Sequence, residues 1–235
     1  DVYFARQQVS ERLQAVKGQL PPGVEPSLGP VATGLGEIFM YTVEAEPGAV
    51  RPDGSAWTPT DLRTLQDWVV RPQMRNLDGV TEVNTVGGYV RQIHVTPDPA
   101  RLVAYSLTLQ DLIAALSRNN ANAGAGYVER SGEQYLIRVP GQVQSLAELP
   151  QLVVAVREGV PIRLGEVAEV VEGSELRTGA ATENGREIVL GTVFMLVGEN
   201  SRAVARRAAA RLDQVNASLP DGVVATAVYD RTELV

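Results

Sequence analysis

The chain has 235 residues, 44% hydrophobic and 21% charged, an ordinary globular composition with enough apolar material for packed cores. A net charge of -7 argues against nucleic acid as a partner, because binding a phosphate backbone needs clustered Lys and Arg. Cysteine is absent and His94 is the single histidine, which excludes disulfides, thiolate metal sites and cysteine nucleophiles, and no apolar run approaches the ~18 residues of a membrane span.

Val2, Ala5, Val9, Leu13, Val16 and Leu20 recur at helical spacing and predict a helix over 2–20. No strand precedes it, so its apolar stripe is expected to be poorly covered within this chain, exposed or met by another copy. Pro21 to Gly36 is a connector. Ile38 to Glu44 alternates and predicts a strand, and 47–59 is a Pro/Gly/Asp/Ser loop. Thr58-Pro59-Thr60-Asp61 carries the signature of a helix start: a capping threonine, proline at the first helical position and an acid three residues after the cap. Leu62, Leu65 and Val69 form its buried stripe, and Pro72 should kink it.

Val80 to Val86 and Tyr89 to Val95 predict strands divided by Gly87-Gly88, the second ended by Pro97-Asp98-Pro99. Thr108 and Asp111 repeat the cap logic for another helix. Asn119 to Gly126 reads as a loop or hairpin arm, Tyr135 to Val139 as a strand, and Ser145 with Glu148 as the start of a short helix. Short strands are predicted at 152–156, 162–164 and 167–171, a long apolar strand at 188–196, a helix at 201–218 and a last strand at 223–229. One phrase occurs twice. Arg12-Leu13, Val16, Leu20-Pro21, Gly23 and Val24 return as Arg211-Leu212, Val215, Leu219-Pro220, Gly222 and Val223, which suggests duplicated α/β units. The fold class is therefore α+β: two βαβ units, about 37–87 and 187–229, forming a ferredoxin-like split-βαβ sandwich interrupted by a separate small α+β subdomain.

No nucleophile elbow, Walker loop or zinc-ligand spacing is present, so an enzyme is not expected. Gly34-Leu35-Gly36 reads as a turn, His94 as structural or surface, and Arg202, Arg206, Arg207 and Arg211 as a solvated face. Asn216-Ala217-Ser218 matches a glycosylation sequon. Unbroken alternation puts Glu37 on the same strand face as Phe39, Tyr41 and Val43. A carboxylate on such an apolar face is costly unless it is paired, solvated or bound to a cation. Glu37 is thus a candidate metal ligand, with a solvated strand end as the other reading, and Glu82 is a second candidate near the start of its own strand.

Four segments, "LPPGVEPSLGPVATGLGEIFMYTVE", "TDLRTLQDWVVRPQMRNLDGVTEVNTVGGYVRQIHVTPDPARL", "NNANAGAGYVERSGEQYLIRVPG" and "IRLGEVAEVVEG", resemble heavy-metal efflux pumps of the resistance–nodulation–division superfamily, the cobalt–zinc–cadmium type most of all. The resemblance runs over essentially the whole chain. It implies the N-terminal periplasmic segment of a trimeric, proton-driven inner-membrane antiporter of a Gram-negative bacterium, itself soluble once excised. By resemblance, 1–35 is the tail of a first porter subdomain and 36–87 with 182–229 form a second. Residues 88–181 form a docking subdomain whose arm, near Ala121 to Gln134, reaches a neighbouring protomer, and 230–235 lead to a second membrane helix. The implied partners are the other protomers, a periplasmic adaptor protein and an outer-membrane channel. No cofactor is implied. The implied cargo is a divalent cation such as Zn, Co, Cd or Ni, which fits three scattered methionines and no cysteine better than a soft monovalent ion does. A drug-exporting relative would show an aromatic-rich pocket, which three Phe do not make, and a free-standing periplasmic binding or adaptor module would need a complete core of its own.

Overall fold

The elements follow in chain order as α1 (Val2–Val16), β1 (Glu37–Ala45), α2 (Pro59–Leu65), α3 (Arg71–Arg75), β2 (Val80–Val86), β3 (Arg91–Pro97), α4 (Pro99–Ala104), α5 (Leu109–Arg118), β4 (Ala123–Arg130), β5 (Glu133–Val139), β6 (Val153–Arg157), β7 (Val160–Arg163), α6 (Leu164–Val167), β8 (Ala168–Ser174), β9 (Ala181–Glu183), β10 (Arg186–Met195), α7 (Ser201–Asn216) and β11 (Val223–Asp230). This is a computed structural model, and it describes residues 2–32, 36–119, 123–130, 133–139 and 145–234. The chain divides into two units, one of Asp1–Gly88 with Thr178–Val235 and one of Tyr89–Arg177.

The first unit is built on an antiparallel sheet in the order β11-β1-β10-β2, with β9 pairing the far end of β10. β1 and β10, 37–45 and 186–195, are therefore neighbours in one sheet. Helices α2, α3 and α7 cover one face, where Tyr41, Val43, Val83, Val189, Val193 and Met74 meet Val204, Ala208, Leu212 and Val215 in one buried cluster. The spacing of those α7 residues is the helical period that the core demands. Asn200 caps α7, its side chain accepting from the Ala203 N–H at 3.0 Å. After α7, Gly222 takes φ +76° and the chain enters β11. Gly23, in the earlier copy of the phrase, takes φ +86°, but no strand begins at Val24 as β11 begins at Val223.

The cap at Thr58 forms as the spacing predicts. Asp61 N–H donates to Thr58 Oγ1 at 3.2 Å, and the Asp61 carboxylate accepts from the Thr58 N–H at 3.1 Å and its hydroxyl at 2.6 Å. Arg51 adds an ion pair at 3.5 Å to the buried Asp61. Asp61→Ala is expected to cost about 1.5 kcal/mol, read as a lower urea midpoint at unchanged slope. An unchanged midpoint would refute the role given to this cap. Pro72 does not end the helical run. Instead Gln66–Val70 forms a π turn in which the Arg71 N–H reaches back to the Gln66 carbonyl, absorbing the bond that proline cannot make.

In the second unit, β3 pairs β8 and β6 pairs β7, both antiparallel, and Leu102, Leu112, Val154, Ile162, Leu164 and Val167 form its core. Thr108 and Asp111 cap α5 as expected. β4 and β5 form an antiparallel pair where the arm was expected; Asn120 to Asn122 within that stretch lie outside the described residues, as do Gly34 and Leu35.

Several expectations are corrected. The turn at Asp98 is not only a strand stop: Asp98 accepts from the Ala100 and Arg101 N–H groups and opens α4, with Pro99 at its first position. The short helix expected to open at Ser145 forms as a 3-10 helix over 146–151, while Val167, expected to start a strand, ends a single helical turn before β8 begins at Ala168. The exposed stripe expected of α1 is observed: none of the helix residues is buried, and Val2 and Val9 are 47% and 48% exposed.

Candidate functional site

β1 begins close against β10 at Gly36, where a Cβ would meet the Met195 carbonyl oxygen at 3.1 Å, a tight contact. Glu37 then pairs with Phe194, but Phe39 pairs with Val193, so Ile38 is an extra residue on β1. Ile38 and Phe39 are both fully buried in the same core. Such a bulge turns the alternation by one place. Glu37 therefore leaves the apolar face of Phe39, Tyr41 and Val43, correcting the placement expected from unbroken alternation. It shares the opposite face, away from the helices, with Phe194.

Glu82 pairs with Phe194 from the other side of β10. The fold thus brings both candidate acids onto one rung of one sheet face, with the phenylalanine between them. Two strand spacings put their Cα atoms roughly 10 Å apart. Both are part-buried. Further along the same face the rungs carry Met40 beside Thr192 and Asn84, then Thr42 beside Leu190 and Val86. Thr42 is 2% and Thr192 7% exposed. Among the described residues no group of three or more His, Cys, Asp or Glu could hold a metal ion. Glu37 and Glu82 can supply oxygen ligands, but a tetrahedral zinc-type site needs about four donors at ~2.0–2.2 Å.

The helix-covered face carries a polar network instead. Gln66 Nε2 donates to Tyr41 Oη at 3.0 Å and to Thr85 Oγ1 at 3.2 Å, and Thr85 donates to Asp67 at 3.0 Å. Asp67 is held by Arg63 at 2.7 Å, and Arg63 also donates to the Gly87 carbonyl. Burial pushes the Tyr41 phenol well above its ordinary range, so it stays neutral. These groups tie helix to sheet, and within them the buried Gln66 Oε1 has no hydrogen-bond partner.

His94 lies on the exposed side of β3, its ring over Gly173 of β8, in keeping with the surface reading. Arg207 is not simply solvated, since its guanidinium donates twice to the Asp78 carbonyl at 3.1 and 2.9 Å. One arrangement escaped the sequence reading: Glu44 at the end of β1 and Glu183 on β9 come within hydrogen-bonding reach of each other. The Asn184-Gly185 dipeptide was the available signal for the hairpin that brings them together.

The sequence model of the AcrB/AcrD/AcrF family matches residues 1–235. Protein HelA of Legionella pneumophila is 60% identical over 235 residues, all of this chain and 22% of the relative. The cobalt-zinc-cadmium resistance protein CzcA of Cupriavidus metallidurans is 57% identical over the same span and coverage. The chain is also similar, at 29% identity, to a crystal structure of a heavy metal efflux pump, with a TM-score of 0.82 over 99% of this chain and 22% of that one. It spans about a fifth of the length of these relatives. No helix among the described residues is long and apolar enough to cross a membrane. Matched along its whole length, the chain belongs to the AcrB/AcrD/AcrF family, as a stretch of the heavy-metal efflux type of the resistance–nodulation–division transporters.

Proposed function

We propose that the chain is the periplasmic porter and docking segment of a trimeric, proton-driven exporter of divalent heavy-metal cations. The observation that carries this reading is the 57% identity, over every residue, to a protein named for cobalt, zinc and cadmium resistance. Two further relatives, at 43% and 44% identity, are named for nickel with cobalt, one of them also for cadmium. The sheet order β11-β1-β10-β2, with α2, α3 and α7 on one face, supports a ferredoxin-like split βαβ for the porter part. Residues 88–181 are then the docking part, and the β4–β5 arm meets a neighbouring protomer. An adaptor protein and an outer-membrane channel complete the assembly.

In this reading Glu37 offers a carboxylate oxygen to the cation on the sheet face away from the helices, and Glu82 is the secondary acid on the same rung. Their spacing across Phe194 means that the remaining donors come from other parts of the full-length protein. Hard or borderline divalent ions suit such oxygen donors better than soft monovalent ones.

The test uses the full-length transporter with its adaptor and channel, in a bacterial host stripped of its own metal exporters. Growth in zinc, cobalt, cadmium or nickel should improve over the empty host; no gain with any of the four would refute the export reading. Glu37→Gln keeps shape and removes charge, and should abolish most of that gain at equal protein level. If its resistance equals wild type, Glu37 is only a solvated strand end, and the export reading stands or falls separately.

A further inference from the structure

The ladder between β1 and β10 ends at Val43 and Val189. Beyond that rung the sheet forks. Glu44 and Ala45 continue with β11, against Val224 and Val223, while Ile188, Glu187 and Arg186 continue with β9, against Ala181, Thr182 and Glu183. A cavity of about 560 Å³ opens at the fork, lined among others by Glu44, Trp57, Leu62, Glu183, Glu187 and Val189. The β9 arm is only three residues long and turns through Asn184 (φ +48°) and Gly185 (φ +77°), so few backbone bonds hold it. Glu44 and Glu183, both part-buried, line this cavity from the two sides of the fork, and a side-chain hydrogen bond from Glu183 acts on Glu44.

Two carboxyl groups can hydrogen-bond only while one of them carries a proton; with both ionised they repel. We propose that Glu44 and Glu183 form a proton-dependent clasp across the fork in the sheet, closing the β9–β10 hairpin onto β1 when they share a proton and releasing it when both are charged. This goes beyond the export reading and does not depend on it.

The surroundings set the sign. Burial first, then the charge and hydrogen bond of Glu183, hold the Glu44 carboxyl above the usual range, and Arg186 opposes them. Glu187 of β10 lines the same cavity. β11 brings Val224 opposite Glu44, and the loop and α2 bring Trp57, Pro59 and Leu62, none of which titrates in the carboxylate range. A raised acid pKa in the closed form means that closure is complete below the ordinary glutamate range and is lost as pH rises through the raised value.

The experiment follows amide hydrogen exchange by NMR on the 235-residue chain, in metal-free buffer, from about pH 4.5 to 8, corrected for intrinsic rates. Protection of Thr182 to Ile188 should fall about tenfold or more as pH rises, while the amides of Tyr41 to Val43 hold theirs. Trp57 fluorescence, with the 80% exposed Trp68 replaced by Phe, should follow the same curve. Glu44→Gln donates to the Glu183 carboxylate at every pH, so hairpin protection should be high and flat. Glu183→Gln should do the same from the other side and stands in if the first variant folds poorly. Glu44→Ala should be low and flat. A flat wild-type profile, or a wild-type pH dependence surviving in either glutamine variant, would overturn the clasp.

Discussion

Gly191→Ala is expected to lower the melting temperature of the first unit by roughly 6–12 °C, from a loss of about 3 kcal/mol. A Cβ at Gly191 would stand 2.3 Å from Tyr41 Cζ and 2.6 Å from its hydroxyl oxygen. The ring has nowhere to go. Tyr41 is fully buried, packs near Phe39 with ring centroids 6.4 Å apart, and is tied to Gln66 through its hydroxyl. Moving it therefore opens packing on one side and breaks a buried hydrogen bond on the other. Differential scanning calorimetry reads the effect, and a double-mutant cycle assigns it. With Tyr41→Ala already in place, Gly191→Ala should cost under about 1 kcal/mol, because the two sites share one volume. Equal costs in both backgrounds would show that the ring is not the obstacle.

Asn216→Ala should cost about 2–3 kcal/mol, measured as a shifted denaturant midpoint. At the end of α7 the Asn216 side chain imitates a strand: its Oδ1 accepts from the Ala225 N–H at 2.7 Å and its Nδ2 donates to the Ala225 carbonyl at 2.9 Å. Losing it leaves both backbone groups of a part-buried junction without their partner. Asn216→Asp, which keeps the acceptor only, should fall between wild type and alanine. A wild-type midpoint for the alanine variant would mean that water replaces the amide without loss. In the folded chain both ends of the Asn216-Ala217-Ser218 sequon are engaged, Asn216 with Ala225 and Ser218 Oγ with the Val215 carbonyl at 2.7 Å.

Local chemistry was legible wherever neighbouring residues decide it. Thr58 with Asp61 and Thr108 with Asp111 announce helix starts because the cap bonds span three residues. Apolar spacing likewise located β1, β10 and α7, whose burial is uniform along one face. The bulge at Ile38 was not legible, because it is a mismatch with β10, a strand some 150 residues later in the chain. That single insertion decides which face carries Glu37, so period-2 reasoning from the isolated strand put the acid on the wrong side. The shared rung of Glu37, Phe194 and Glu82, and the approach of Glu44 to Glu183, are likewise products of register between distant strands. β9 was missed because three residues are too few to show a period.

β10 is the middle strand of its sheet yet one of the last to be made. β1 and β2 share no hydrogen bonds; each pairs with β10, on opposite sides, and β11 joins only through β1. A nascent chain that has emerged through Val86 therefore carries two strands that cannot satisfy one another. The interposed unit, Tyr89–Arg177, must be synthesised before their common partner arrives. At ~5–20 residues per second that wait lasts several seconds or more, with the apolar side of β1 uncovered. Protection of unpaired strand edges during that interval, by a chaperone or another part of the folding machinery, then becomes a condition of the yield of folded protein as much as the final packing is.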